Sequence, residues 1–132
     1  MIHGDPTDFE VKRERGVGFI AYKIFGSLYE VPFTWRIEEL SWITDAVDTD
    51  ITEGCSYGIN VASNPKWFPS YLAGNYGELR NFSFDVWEVF IPDEAEVVFP
   101  EDDLYKFRTN RCQLLRVVDR IHAHKYYNGY VT

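Results

Sequence analysis

The chain has 132 residues, 45% of them apolar, 17% aromatic and 26% charged, with a net charge of −8. That length makes one ordinary domain, and the apolar content can fill its core without a metal or disulfide, which excludes a disordered chain. Residues 30–103 hold sixteen acids against only Arg36, Lys66 and Arg80, so direct nucleic-acid binding through that region is not expected, whereas solubility or a basic partner suits it.

Residues 1–18 are polar and are expected to form a short N-terminal arm ahead of a single domain over residues 19–132. The opening MIHGDPTDFEVKRER carries no apolar signal core, and no later stretch nears the roughly 20 apolar residues of a membrane helix. A cytoplasmic setting without membrane contact is therefore expected. FIAYKIF (19–25) is aromatic and β-branched and predicts a strand closed by Gly26. LYEVPF (28–33) is its expected hairpin partner, held at an edge by Pro32. Residues 34–54 show no clean period and predict a loop with a helical turn.

YGINVAS (57–63) predicts a strand leaving a glycine corner. Asn64-Pro65 then opens a helix, because an Asn oxygen can accept from free N–H groups and proline is tolerated in the first turn. The helix is expected to be short, irregular at Pro69 and ended by Gly74. FSFDVWEVFIP (82–92), EAEVVFP (94–100) and RCQLLRVVDRI (111–121) predict further strands. The sum is an α+β fold: about six mostly antiparallel strands with one or two short helices. Cys55 and Cys112 are expected as two buried thiols in a reducing compartment.

Common catalytic signatures are missing: there is no GxSxG elbow, phosphate loop or HExxH. His122-x-His124 places two rings on one face of a strand, yet its spacing demands no metal. Glu101, Asp102 and Asp103 follow a proline and read as a solvated turn. Asp45, Asp48 and Asp50 lack the glycine and distal glutamate of a calcium loop.

The segment GINVASNPKWFPSY (58–71) resembles the central motif of ADP-ribosyltransferases of the poly(ADP-ribose) polymerase type. In that family a Gly-Ile-Tyr-Phe-Ala strand leads to a helix with a second tyrosine, and the two aromatics sandwich the nicotinamide of NAD. Gly58, Ile59, Val61 and Ala62 match the strand, and Tyr71 stands at the second tyrosine. Asn60 replaces the first and cannot stack. The family's late catalytic glutamate is also missing, since KFRTNRCQLL (106–115) offers Lys106, Arg108 and Arg111 but no acid.

A second resemblance, to small bacteriophage proteins of unassigned activity, rests on Tyr22-Lys23, Cys55 to Val61, and Lys106-Phe107-Arg108. The second likeness implies a phage or prophage origin, and the first implies an NAD-type pocket in a split two-sheet architecture. Its ligand-binding residues would be Tyr22, Lys23, Gly58, Asn60, Ser63, Tyr71, Lys106 and Arg108, with the late cations, Arg111 among them, on phosphates. No catalytic residue is assigned. The alternative is a small acidic phage-encoded interaction protein without catalysis, either an inhibitor of a host defence or nucleic-acid-binding system or a virion component, with a host or phage protein as its partner. A third reading gives residues 54–71 no site at all: a glycine corner, a core strand and a capped helix.

Overall fold

A computed structural model of the chain describes residues 1–14, 16–26, 30–76, 81–124 and 130–131. Among these described residues ten strands join in one sheet: β1 (Ile2–His3), β2 (Lys12–Glu14), β3 (Gly18–Gly26), β4 (Trp42–Thr44), β5 (Ile59–Ala62), β6 (Asn81–Pro92), β7 (Val97–Val98), β8 (Lys106–Thr109), β9 (Arg111–His124) and β10 (Tyr130–Val131). Their order is β1-β7-β8-β5-β3-β6-β9-β10, with β2 added to β3 and β4 to β9. The β1–β7 pair is parallel and the others are antiparallel. One α-helix, α1 (Phe68–Tyr76), follows β5. The fold is thus α+β and mostly antiparallel, as the sequence predicts, but with more strands than the six or so expected and in one sheet, not the two that the resemblance implies.

Alternation decides which face each strand buries. Along β3, Phe19, Ala21 and Phe25 enter one core cluster, while Tyr22 and Ile24 enter another on the opposite face. On β6, Trp87, Val89 and Ile91 join the first cluster, and Phe84 and Val86 the second. Val31, Trp35 and Ile37 cover the first cluster, and Phe68 and Leu72 of α1 cover the second. Each fully buried Phe or Leu contributes roughly 1.5–3 kcal/mol, so two covered faces give a small domain an adequate core.

Several expectations are corrected here. Residues 1–14 are no free arm: β1 pairs with β7, β2 pairs with β3, and Phe9 is buried against Phe99. LYEVPF is no hairpin partner. Its described part, residues 30–33, contains no strand, while Pro32 accepts the Trp35 N–H in a turn and β3 is flanked by β2, β5 and β6 instead. The expected strand 94–100 shrinks to Val97–Val98. Further strands escape prediction: β4 lies inside a supposed loop, and β8 in a stretch given no element. Gly74 does not end α1, which runs on to Tyr76, and Pro69 falls harmlessly in its first turn.

β9 explains why its sequence alternates only in part. Its register with β6 shifts twice, leaving Val118 and Leu115 as extra residues in bulges. Beyond Leu114 the facing therefore changes, and residues 116–120 are exposed until Ile121 is buried again.

Candidate functional site

The sheet parts at its middle. β3 and β5 share the single described pair Tyr22↔Ala62, whereas β3 runs alongside β6 for nine pairs, Gly18↔Pro92 to Gly26↔Phe84. Beyond that one pair the Lys23 ammonium donates to the Asn60 main-chain carbonyl at 2.9 Å. Lys23 is 2% exposed, and its charge also sits over the rings of Phe25 at 5.4 Å and Trp35 at 5.9 Å. A buried ammonium is tolerated only with such partners. Lys23 therefore acts first as the support of Asn60.

The element after β5 builds the opposite wall. Asn64 Oδ1 accepts the Lys66 N–H at 2.9 Å, capping a 3₁₀ turn over Pro65–Trp67 that passes into α1. This is the local structure the Asn-Pro pair predicts. Helical spacing then sets Trp67 over Tyr71, four residues on, with ring centroids 4.6 Å apart and planes 24° from parallel. Phe68 and Leu72 turn toward the sheet and are buried.

Between the parted strands and this helix lies a cavity of about 40 Å3, lined by Lys23, Ile24, Asn60, Val61, Trp67, Phe68, Tyr71 and Lys106. Four of the eight residues singled out from the sequence thus meet in one place: Lys23, Asn60, Tyr71 and Lys106. Next to it, sharing Trp67, is an open groove of about 490 Å3 lined by Glu10, Asn64, Lys66, Ser70 and Tyr105. Lys66 is one of the three bases in the acidic middle of the chain, so positive charge gathers here against the trend of the molecule.

The other four residues are placed differently. Tyr22 is half-buried and packs in the same cluster as Trp67 and Tyr71. Gly58 precedes β5 with φ +138°, where a β-carbon would come within 2.7 Å of Val47 Cγ2. Ser63 closes β5; its N–H donates to the Tyr105 carbonyl, and its buried Oγ has no partner among the described residues. Arg108 is fully buried, and its Nε, Nη1 and Nη2 donate to the carbonyls of Asp48, Glu53 and Asp50, each at 2.7 Å. That clamp shapes the loop beside β5 and takes the guanidinium away from any phosphate. Arg111 lies at the far end of β8–β9, 4.2 Å over the Trp42 ring and 3.6 Å from Glu94.

The loop held by Arg108 organises its own acids. Backbone and side-chain bonds from Asp50 and Ser56 hold the Asp48 carboxyl below its usual pKa, and bonds from Thr52 do the same for Asp50. Both carboxylates are turn-forming groups. Asp103 likewise accepts the N–H groups of Tyr105 and Lys106. No set of three or more metal-ligating side chains gathers among the described residues, and the His124 side chain lies outside them.

The two cysteines are free and unlike. Burial pushes the Cys112 thiol up to about 12, a rise that nearby Lys23 partly offsets. Cys55 is exposed, contrary to expectation, and receives the Lys106 ammonium at 3.2 Å.

Sequence reasoning missed Trp67, Lys66, Tyr105 and Glu10. A signal for Trp67 was present: an aromatic four residues before Tyr71, just after a helix cap, must share its face. Glu10 had none, since it arrives through the docking of a segment read as an arm. The described residues that line the cavity include two lysines and no acid. Comparisons with protein families, with curated proteins and with solved structures found no match.

Proposed function

We propose that the cleft between β3, β5 and α1 is a binding place for a nucleotide-type ligand, NAD being the first to test, and that the chain holds this ligand without transferring any part of it. The observation that carries the reading is the convergence of Asn60, Tyr71 and Lys106 with Trp67 around one cavity at the parting of the strands. An apolar aromatic wall suits a flat ring, and a few fixed polar groups orient it. The 40 Å3 cavity admits only the edge of such a ring; the groove beyond Trp67, with Lys66 on its rim, has room for the remainder. Among the described residues the cavity walls hold no carboxylate to stabilise an oxocarbenium-like transition state. Binding is the function supported.

Thermal unfolding with millimolar NAD and ADP-ribose tests this. A ligand specific to the folded chain raises the melting temperature as its concentration passes Kd. The expected result is a rise that Tyr71→Ala removes; no rise with either ligand overturns the proposal.

A protein partner is the second reading, motivated by the exposed apolar side chains of one segment. Phe33 is 98% exposed, Leu40 65% and Trp42 42%, in a segment that also carries Glu38 and Glu39. Large exposed apolar side chains rimmed by charge mark many interaction surfaces. In a phage setting the partner would be a host or phage protein with a basic rim. Cross-linking of the native chain and of Phe33→Ser/Leu40→Ser in host lysate tests it: a conjugate lost in the variant supports the reading, and conjugates unchanged by it count against.

A further inference from the structure

We infer that Asn60 selects the ligand of this cavity by hydrogen-bond polarity: the group that enters must present a neutral N–H donor on a planar ring. This rests on the binding reading above and names the chemistry of the part bound deepest. Asn60 Nδ2 donates to the carbonyls of Ser56 at 3.2 Å and Gly58 at 3.3 Å. Those two acceptors fix which way the amide points, because a flipped amide would set its oxygen against both. Oδ1 is thereby turned the other way. It is buried and has no hydrogen-bond partner among the described residues.

A buried acceptor left unpaired is costly, and native proteins leave few of them. The neighbouring ammonium groups do not relieve it. Lys23 Nζ donates to the main-chain oxygen of the same residue, and Lys106 Nζ reaches Cys55 Sγ. Asn60 lines the 40 Å3 cavity, which is larger than the 10–15 Å3 or so that one water needs. An amide or amino group attached to a ring edge fills such a space. An ester, ether or bare ring edge brings an acceptor or nothing, and leaves Oδ1 unpaired after water has been excluded. Gly58 is part of the device, since its positive φ sets the carbonyl that holds Nδ2.

Two ligand sources share this chemistry, a primary carboxamide and an exocyclic ring amine, and neutral pairs separate them. Nicotinamide is compared with methyl nicotinate, and adenosine with purine riboside, by calorimetric titration of the native chain. In at least one pair the donor-bearing member is expected to bind about tenfold tighter or more. Asn60→Leu, which removes the acceptor, should level that pair. Equal binding within both pairs overturns the inference, and if NAD still raises the melting temperature the binding proposal survives it. A preference that persists in Asn60→Leu overturns the assignment to Asn60. If neither NAD nor any of the four probes binds, both proposals fall. Because the native-chain comparison comes first, a variant that fails to fold leaves the test intact.

Discussion

Single side chains in this molecule divide between holding the fold and facing a ligand, and charge type alone does not say which. Lys106 and Arg108 are two residues apart on β8, so both leave the same side of the strand. Lys106 lines the cavity, whereas Arg108 spends three nitrogens on loop carbonyls. Replacing Arg108 by Leu would leave three carbonyls without their charged donor in a fully buried place. The expected loss is about 3 kcal/mol or more of stability in urea unfolding, with the loop 48–53 losing hydrogen-exchange protection. Cys112 gives a second residue-scale prediction, in pH. An unfolded thiol ionises near 9, while this one holds its proton to about 12. Below pH 9 it is neutral in both states and contributes no slope. Between 9 and 12 only the unfolded chain releases the proton, so stability should fall with rising pH by about 1.4 kcal/mol per unit. Subtracting the profile of Cys112→Val isolates this from the tyrosines and lysines titrating in the same range. Cys55, being exposed, should react with a thiol reagent in the native chain, and Cys112 only after unfolding.

At the scale of elements, the sequence was legible where a pattern ran long enough to declare itself. FIAYKIF, INVA, FSFDVWEVFIP and the start of RCQLLRVVDRI are strands because alternation or β-branching persists across them. The capped turn at Asn64-Pro65 was legible because two residues suffice to specify it. What stayed hidden was short or borrowed. β1, β4 and β7 have two or three residues each, too few to show a period, and exist because a neighbour offers an edge. β8 does alternate, as Lys-Phe-Arg-Thr, but a buried arginine disguises one face as solvent. The site was half legible for the same reason. Residues on β5 and α1 came from a continuous stretch, while Glu10 and Tyr105 come from segments whose docking no local pattern announces. Gly58 belongs to this scale, because it sets how β5 leaves the loop. Gly58→Ala meets two obstacles, a φ of +138° and Val47 Cγ2 at 2.7 Å. The expected cost is about 1–2 kcal/mol in chemical unfolding. Adding Val47→Ala removes the collision but not the backbone strain, so rescue should be partial; full rescue would show that the dihedral is costless here.

Taken whole, the molecule has a hydrogen-bonded framework that parts between β3 and β5 and a core that does not. Strands β1, β7, β8 and β5 form one side of the parting, and β3, β6 and β9 the other. Backbone ladders alone would let these sides open separately, since one described pair joins them. Apolar packing ties them together instead. Phe99 stacks on Phe107 of β8 at 4.7 Å and meets Phe19 of β3 edge-on at 5.7 Å, with Phe9 at 4.8 Å. One ring thus touches both sides and the N-terminal segment. Phe99→Ala should cost about 3–5 kcal/mol, a large share of the 5–15 kcal/mol available to a domain of this kind. The more informative outcome is cooperativity. In the native chain, far-ultraviolet circular dichroism and tryptophan fluorescence should give the same urea midpoint, because the core spans the parting. In Phe99→Ala the midpoint should fall and the two probes should separate, as the side carrying β3, β6 and β9 retains its long ladders after the other has opened. Coincident midpoints in the variant would mean that the remaining contacts, Phe107 with Phe9 among them, are enough to keep the sides together. The cleft would then owe its shape to the whole core, and the loss of any single ring would not open it.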